Sequence, residues 1–147
     1  MQEIKHKAKR KNWRFLEQKE WWVEGYYAKL GNEKFERHFI IQNCSIMPIN
    51  TNQTETPFFI EVEVEQDTLC SYTGFNDRGK NKIWGNDYVQ YEKHIARVVM
   101  EDGQWKLKWL VKNKYFREDI VFWAKERQIK VIGNVYDDKD VIKEYIE

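Results

Sequence analysis

The chain has 147 residues with seven Trp, eight Tyr and eight Phe, is 41% hydrophobic and 33% charged, and so carries enough large apolar side chains to exclude a disordered polymer and to build one packed domain. No apolar run reaches the roughly 18 residues of a membrane-spanning helix, the first residues are polar and basic rather than signal-like, and Cys44 and Cys70 stand apart, which sets the expectation of reduced thiols in a cytoplasm rather than a disulfide. The net charge of +1 conceals an asymmetry, because Lys5, Lys7, Lys9, Arg10, Lys11 and Arg14 face only Glu3 within the first 14 residues.

Taken in chain order, the pattern is mostly that of strands. Ile4, His6 and Ala8 alternate with Lys5, Lys7 and Lys9, the period of two of a strand covered on one face. The aromatic run Trp21–Leu30 ends at Gly31-Asn32, a turn into a further strand at Phe35–Gln42. Residues 43–57 are rich in Asn, Ser, Thr, Pro and Gln and predict a loop. Phe59–Glu65 returns to strict alternation, with Ile60, Val62 and Val64 on one side and Glu61, Glu63 and Glu65 on the other. Ala96–Met100 and Gln104–Leu110 flank Glu101-Asp102-Gly103, the clearest hairpin in the chain, and Trp105, Leu107 and Trp109 share one face of its second strand.

Helix is scarce. Arg117–Arg127 reads equally as a short helix or a strand around Ile120–Trp123, Gln128–Val135 reads as a strand, and Asp138–Glu147 has an N-capping Asp and an apolar side at Val141, Ile142, Tyr145 and Ile146. No Pro/Gly/Ser-rich linker divides the chain, so a single domain is expected, with subdomains at about 1–65 and 66–147.

Motifs that carry chemistry are missing from the sequence. His6, His38 and His94 lack Cys or carboxylate neighbours at metal-ligand spacing, and no GxSxG, HExxH or Walker loop occurs. Glu61, Glu63 and Glu65 sit about 7 Å apart on one strand face, an acidic ladder rather than an acid/base pair. No catalytic, metal or cofactor-binding residue is assigned, and an enzyme is not expected. Were the two strands neighbours, the Lys5/Lys7/Lys9 and Glu61/Glu63/Glu65 ladders could pair within or between subunits.

Tyr72-Thr73-Gly74-Phe75 leads to a turn acid at Asp77, Gly79 near the bend, the apolar pair Ile83-Trp84, a second acid at Asp87 and a strand entry at Val89. With the opening Met1, Glu3, Ile4, Lys5, Lys7, Ala8 and the closing Val131-Ile132-Gly133-Asn134-Val135-Tyr136, these residues resemble the YopX family of phage and prophage proteins, which has no established biochemical activity. Residues 9–64 and 110–128 carry no firm match. The family's Asn-Gly turn becomes Gly79-Lys80, and its Glu-Gly before Asp87 becomes Gly85-Asn86. The resemblance implies a mainly β protein with a small SH3-type β-barrel in the C-terminal half, an additional N-terminal β-subdomain and a short C-terminal helix.

In a β-turn the Asp and Gly residues of this motif (Gly74, Asp77, Gly79, Asp87, Gly133, Asn134) are expected to fix backbone shape rather than to act on a ligand. The leading expectation is therefore a binding or adaptor module in the cytoplasm of the bacterial host, its partner a protein: a second copy or a host factor. The alternative is an accessory nucleic-acid binder using Lys5, Lys7, Lys9, Arg10, Lys11, Trp13 and Arg14, where bases stack on aromatics along a basic groove.

Overall fold

The computed structural model describes residues 5–32, 34–46, 56–111, 115–126 and 128–140, with the side chains of 44–46, 56 and 57 excepted. The fold is mainly β, in antiparallel sheets with one short helix. Two compact units divide the chain between Ser71 and Tyr72. Residues 66–71 stay with the first unit because the Lys9 N–H donates to Thr68 Oγ1 (2.8 Å) and Leu69 packs on the N-terminal core.

In the N-terminal unit β1 (His6–Lys9), β2 (Trp22–Asn32), β3 (Phe35–Ile46) and β4 (Thr56–Glu63) lie in the order β4-β3-β2-β1. Cys70 and Ser71, which open β5 (Cys70–Asn76), run along the far side of β1. β2 changes partner along its length, pairing with β1 through Trp22–Gly25 and with β3 from Tyr26 onward. Gly25 sits at this handover, where a Cβ would come within 2.4 Å of the Ile41 carbonyl oxygen, so only glycine lets the two backbones approach.

The sheet also curls until its outer strands touch. The Lys11 N–H donates to the Glu63 carbonyl (2.9 Å), and the Glu65 N–H donates to that of Lys9 (2.9 Å). Ala8, Val23, Ile40 and Val64 meet inside this curl, with Tyr27, Val62 and Leu69 packed around them. The alternation over Ile60, Val62 and Val64 is thus observed, yet burial fades outward, from 2% exposure at Val64 to 40% at Ile60.

The loop expected over 43–57 is corrected at both its ends, while 47–55 lie outside the described residues. β3 runs on to Ile46 and β4 begins at Thr56, with Asn43↔Phe59, Cys44↔Phe58, Ser45↔Pro57 and Ile46↔Thr56 in register. Polar side chains there do not oppose a strand, because ladder bonds come from the backbone and propensity yields to context. Cys70 is buried, and its Sγ donates to the Thr68 carbonyl (3.3 Å).

In the C-terminal unit the remainder of β5 pairs with β6 (Lys82–Trp84). A four-stranded sheet follows, in the order β10-β7-β8-β9, from β7 (Asp87–Tyr91), β8 (His94–Glu101), β9 (Gln104–Trp109) and β10 (Lys130–Asn134). The hairpin at Asp102-Gly103 forms as expected, both residues taking positive φ (54° and 75°). Leu107 is fully buried with Ile83, Val89, Ala96, Val98, Ile120, Trp123 and Ile129, while Trp105 and Trp109 pack at the margin.

The ambiguous segment after Arg117 forms a helix, α1 (Ile120–Lys125). Ile120 and Trp123 are buried and Val121 is exposed, a spacing of three that suits a helix and not a strand.

Among the described residues no closed barrel forms, which corrects the SH3-type expectation. β9 and β10 are the sheet's two edges. Alongside β9 runs the segment entering α1, through the Leu107 N–H to Glu118 carbonyl bond (2.7 Å) and a Lys106↔Asp119 bridge, in the place where a closing strand would lie. The helix expected over Asp138–Glu147 lies beyond the described residues from 141 onward, and Lys139 and Asp140 are in a turn.

Gly25→Ala forces β2 from β3 and is expected to destabilise the protein by about 2 kcal/mol. Chemical denaturation followed by tryptophan fluorescence measures the change.

Candidate binding surface

The shared motif of the C-terminal unit is a set of carboxylate and amide clamps on backbone N–H groups. Asp77 is buried; its Oδ1 accepts from the N–H groups of Gly79 (2.9 Å) and Asn81 (2.8 Å), and its Oδ2 from that of Val131 (2.9 Å). Burial alone would push this carboxyl up, but the bonds from Val131, Asn81 and Gly79 outweigh it and hold the group below its ordinary range. Asp87 is buried too and accepts from the Trp84 N–H (2.8 Å).

Thr73 ties β5 to β6 by donating to the Ile83 carbonyl (2.7 Å), and the Tyr72 hydroxyl donates to Asn76 (2.7 Å). Asn134 Oδ1 caps the N–H groups of Tyr136 and Asp137, while its own N–H donates to Asp138 Oδ2 (3.0 Å). Gly133 leaves room for that carboxylate, since a Cβ would sit 2.3 Å from Asp138 Oδ2. Val89 lies in the core. Most of these side chains bind the protein's own backbone.

Left-handed backbone falls at Gly74 (φ 87°), Lys80 (φ 64°) and Asn86 (φ 70°). The positive φ therefore sits on the second residue of Gly79-Lys80 and of Gly85-Asn86. Asn tolerates that conformation and Lys does so poorly.

In the N-terminal unit the basic arm is folded onto aromatic rings. Two short turns, Trp13–Phe15 and Gln18–Glu20, bring Trp13 and Trp21 over β1. The ammonium of Lys9 lies 3.9 Å from the Trp13 ring centroid, 4.6 Å from Trp21 and 5.6 Å from Trp22. Lys9 is only 3% exposed, which corrects the expectation of a solvated lysine ladder. Rings attract the cation through their quadrupoles, about 0.5–2 kcal/mol per contact.

Lys7 lies over Trp22 (4.6 Å) and Arg14 over Trp13 (4.6 Å). Glu65 accepts from Trp13 Nε1 (3.1 Å) and from Arg14 (3.0 Å), and Glu63 pairs with Arg37 of β3. Arg10 Nε donates to the Glu20 carbonyl (2.9 Å), Lys11 lines a cleft beside β4, and Lys5 precedes β1. The proposed nucleic-acid contacts are thus brought together, with Trp13 flanked by Lys9 and Arg14.

His38 Nδ1 is hydrogen-bonded to the Tyr27 hydroxyl, and the His6 ring lies 5.9 Å from that of Tyr27, with burial lowering the His6 pKa. Among the described residues no group of three or more His, Cys, Asp or Glu converges on a metal position.

A different surface lies on β4. The Val64 N–H donates to the His38 carbonyl (2.9 Å), so even-numbered residues of β4 point their backbone groups to β3 and odd-numbered ones point them outward. Lys11 meets the outward carbonyl of Glu63. From Pro57 to Glu61 the outward groups face no strand among the described residues, since β4 ends the sheet order.

Next to this edge Phe59 is 67% exposed, and Tyr26, Leu30 and Phe35 are exposed on the same sheet face. Where β4 parts from Arg10 and Lys11 a cleft of about 650 Å³ opens, lined also by Leu16, Glu20 and Glu61–Glu63. Sequence periodicity missed this surface. Pro57 beside two Phe residues was the available signal, because a strand proline is tolerated at an edge where no N–H is required.

Asp77→Asn removes the charged acceptor and is expected to cost about 3 kcal/mol. Because the folded Asp77 carboxyl titrates below its unfolded value of about 3.9, its contribution is complete above that value and disappears as pH falls through the folded one. Urea denaturation from pH 7 to 3 should therefore show wild-type stability converging on that of Asp77→Asn. Lys80→Gly relieves a left-handed lysine and is expected to gain about 1 kcal/mol, read as a raised Tm.

A family model described as YopX protein matches residues 15–143. Among curated proteins no relative matches. The matched span takes in the Tyr72–Val89 and Val131–Tyr136 motifs, strand β4, and, from residue 15 onward, the stretches that had no firm motif. It leaves out the first 14 residues, including β1. With that span covering most of its length, the chain belongs to the YopX family.

Proposed function

We propose that the chain is a phage- or prophage-encoded binding module without catalytic activity, working in the cytoplasm of the bacterial host, and that its contact surface is the β4 side of the N-terminal unit. The observation that carries this reading is a strand edge, from Pro57 to Glu61, that faces no strand among the described residues and carries exposed Phe59, with Tyr26, Leu30 and Phe35 exposed farther along the same sheet face. Proteins ordinarily blunt such edges, and an exposed aromatic side chain on the edge strand itself fits recognition by strand addition, where backbone bonds supply affinity and side chains supply choice. The C-terminal sheet, covered by α1, serves in this reading as a scaffold.

The nucleic-acid alternative has less support. The cations of Lys7, Lys9 and Arg14 rest on Trp rings, and Arg14 also pairs with Glu65, so these groups are spent within the protein.

Phe59→Asp and Phe35→Asp replace exposed side chains and should leave folding intact. In affinity capture from phage-infected cells each is expected to lower recovery of a specific bound protein by about tenfold, the equivalent of 1.4 kcal/mol at one contact. Recovery equal to wild type for both variants would remove the surface from consideration.

A further inference from the structure

We infer that the outer edge of β4 from Pro57 to Glu61, which faces no strand among the described residues, pairs with β4 of a second copy of this chain, antiparallel and centred on Phe59, to make a two-fold dimer. This rests on the reading of the β4 side as the binding surface and names its occupant.

The argument is one of register. Only odd residues of β4 offer outward backbone groups, so a two-fold ladder must place odd residues opposite odd ones. Centred on Ile60, the ladder would set Pro57 of the second copy opposite Glu63. That position is occupied by Lys11, whose N–H already bonds the Glu63 carbonyl. Centred on Phe58, the ladder would leave Glu61 beyond Pro57 of the second copy, and the missing N–H of Pro57 would fall opposite Phe59. Centred on Phe59, the N–H and C=O of Phe59 bond those of Phe59 in the second copy. The Glu61 N–H then reaches the Pro57 carbonyl of the second copy, and symmetry repeats the bond. The missing proline N–H falls at the end of the ladder, where water reaches the Glu61 carbonyl.

The side chains favour the same register. Phe59 lies opposite Phe59, and on the other face Phe58 lies opposite Ile60 in both directions, so every central pair is apolar. Aromatic and β-branched residues are favourable cross-strand partners. Like charges are kept apart: Glu61 lies across from Pro57, and the two Glu61 residues are separated by about 13 Å along the ladder. A strand of unrelated sequence would meet the edge without this self-complementarity. Glu61 and Glu63, both acids on the outward face, disfavour acidic segments in particular.

So short a ladder buries less than the roughly 800 Å² per partner of a stable complex, so the dimer should dissociate on dilution. Light scattering on the purified full chain is expected to give 18.1 kDa when dilute and to approach twice that mass at high concentration, with Phe59→Asp staying at 18.1 kDa throughout. In a chain carrying Cys44→Ser, with Cys70 buried, Phe59→Cys is expected to form a disulfide-linked dimer on mild oxidation. Cα atoms in such a pair lie about 5.5 Å apart, within disulfide range. Glu61→Cys, facing Pro57, should not form one.

Cross-linking through Glu61→Cys but not Phe59→Cys would overturn the proposal, as would a mass of 18.1 kDa at every concentration without any Phe59→Cys dimer. If the chain is monomeric and capture from infected cells still depends on Phe59, the second copy is excluded and the binding module stands. If capture is also independent of Phe59, both readings fall.

Discussion

The paired backbone bonds between the ends of β1 and β4 govern the N-terminal unit. They bring the first and last strands of a four-stranded order together, so that Ala8 and Val64 enter one small core with Val23 and Ile40. They also decide what remains outside. Because contact between these strands begins only at Glu63, the earlier residues of β4 keep an open edge and the cleft beside Glu61. A curl tighter by four residues would cover Phe59's backbone, and a looser one would open the core. Gly25 permits the curl by letting β2 pass from one partner to the other at close range.

Different physics holds the C-terminal unit. Its turns are clamped by Asp77, Asp87, Asn134 and Asp138, each accepting from backbone N–H groups that would otherwise lack a partner. Asp77 spans the longest interval, since one carboxylate fixes its own turn and also the start of β10 through Val131. The aromatic cluster of Tyr91, Trp109, Phe116 and Trp123 then covers one end of the core at edge-to-face and tilted angles.

The Asp102-Gly103 hairpin, the Phe59–Glu65 alternation and the clamping role of Asp77 and Asp87 were legible in the sequence, because each depends on a few adjacent residues. The extension of β3 and β4 through polar residues was not, since it rests on the two strands supporting each other over a long register. Lys9 was misjudged for a related reason: period two placed it on the solvent face, and the turns carrying Trp13 and Trp21 fold back over that face. The choice of helix at Ile120–Lys125 could not be made from a segment so short, where only burial against β9 separates the two periods. The exposed edge of β4 depends on where β1 stops following it, a distance no local pattern records.

The bond from the Lys9 N–H to Thr68 joins residues 59 apart in the chain. During synthesis β1 therefore leaves the ribosome well before one of the two strands that flank it, since β4's closing residues and the start of β5 arrive only after most of the unit has been made. A strand left waiting in this way is exposed to premature pairing with other nascent chains. Lysines at alternate positions are a known deterrent to such pairing. The alternating lysines of β1 therefore suit a strand whose pairing is completed only when β4 and β5 arrive.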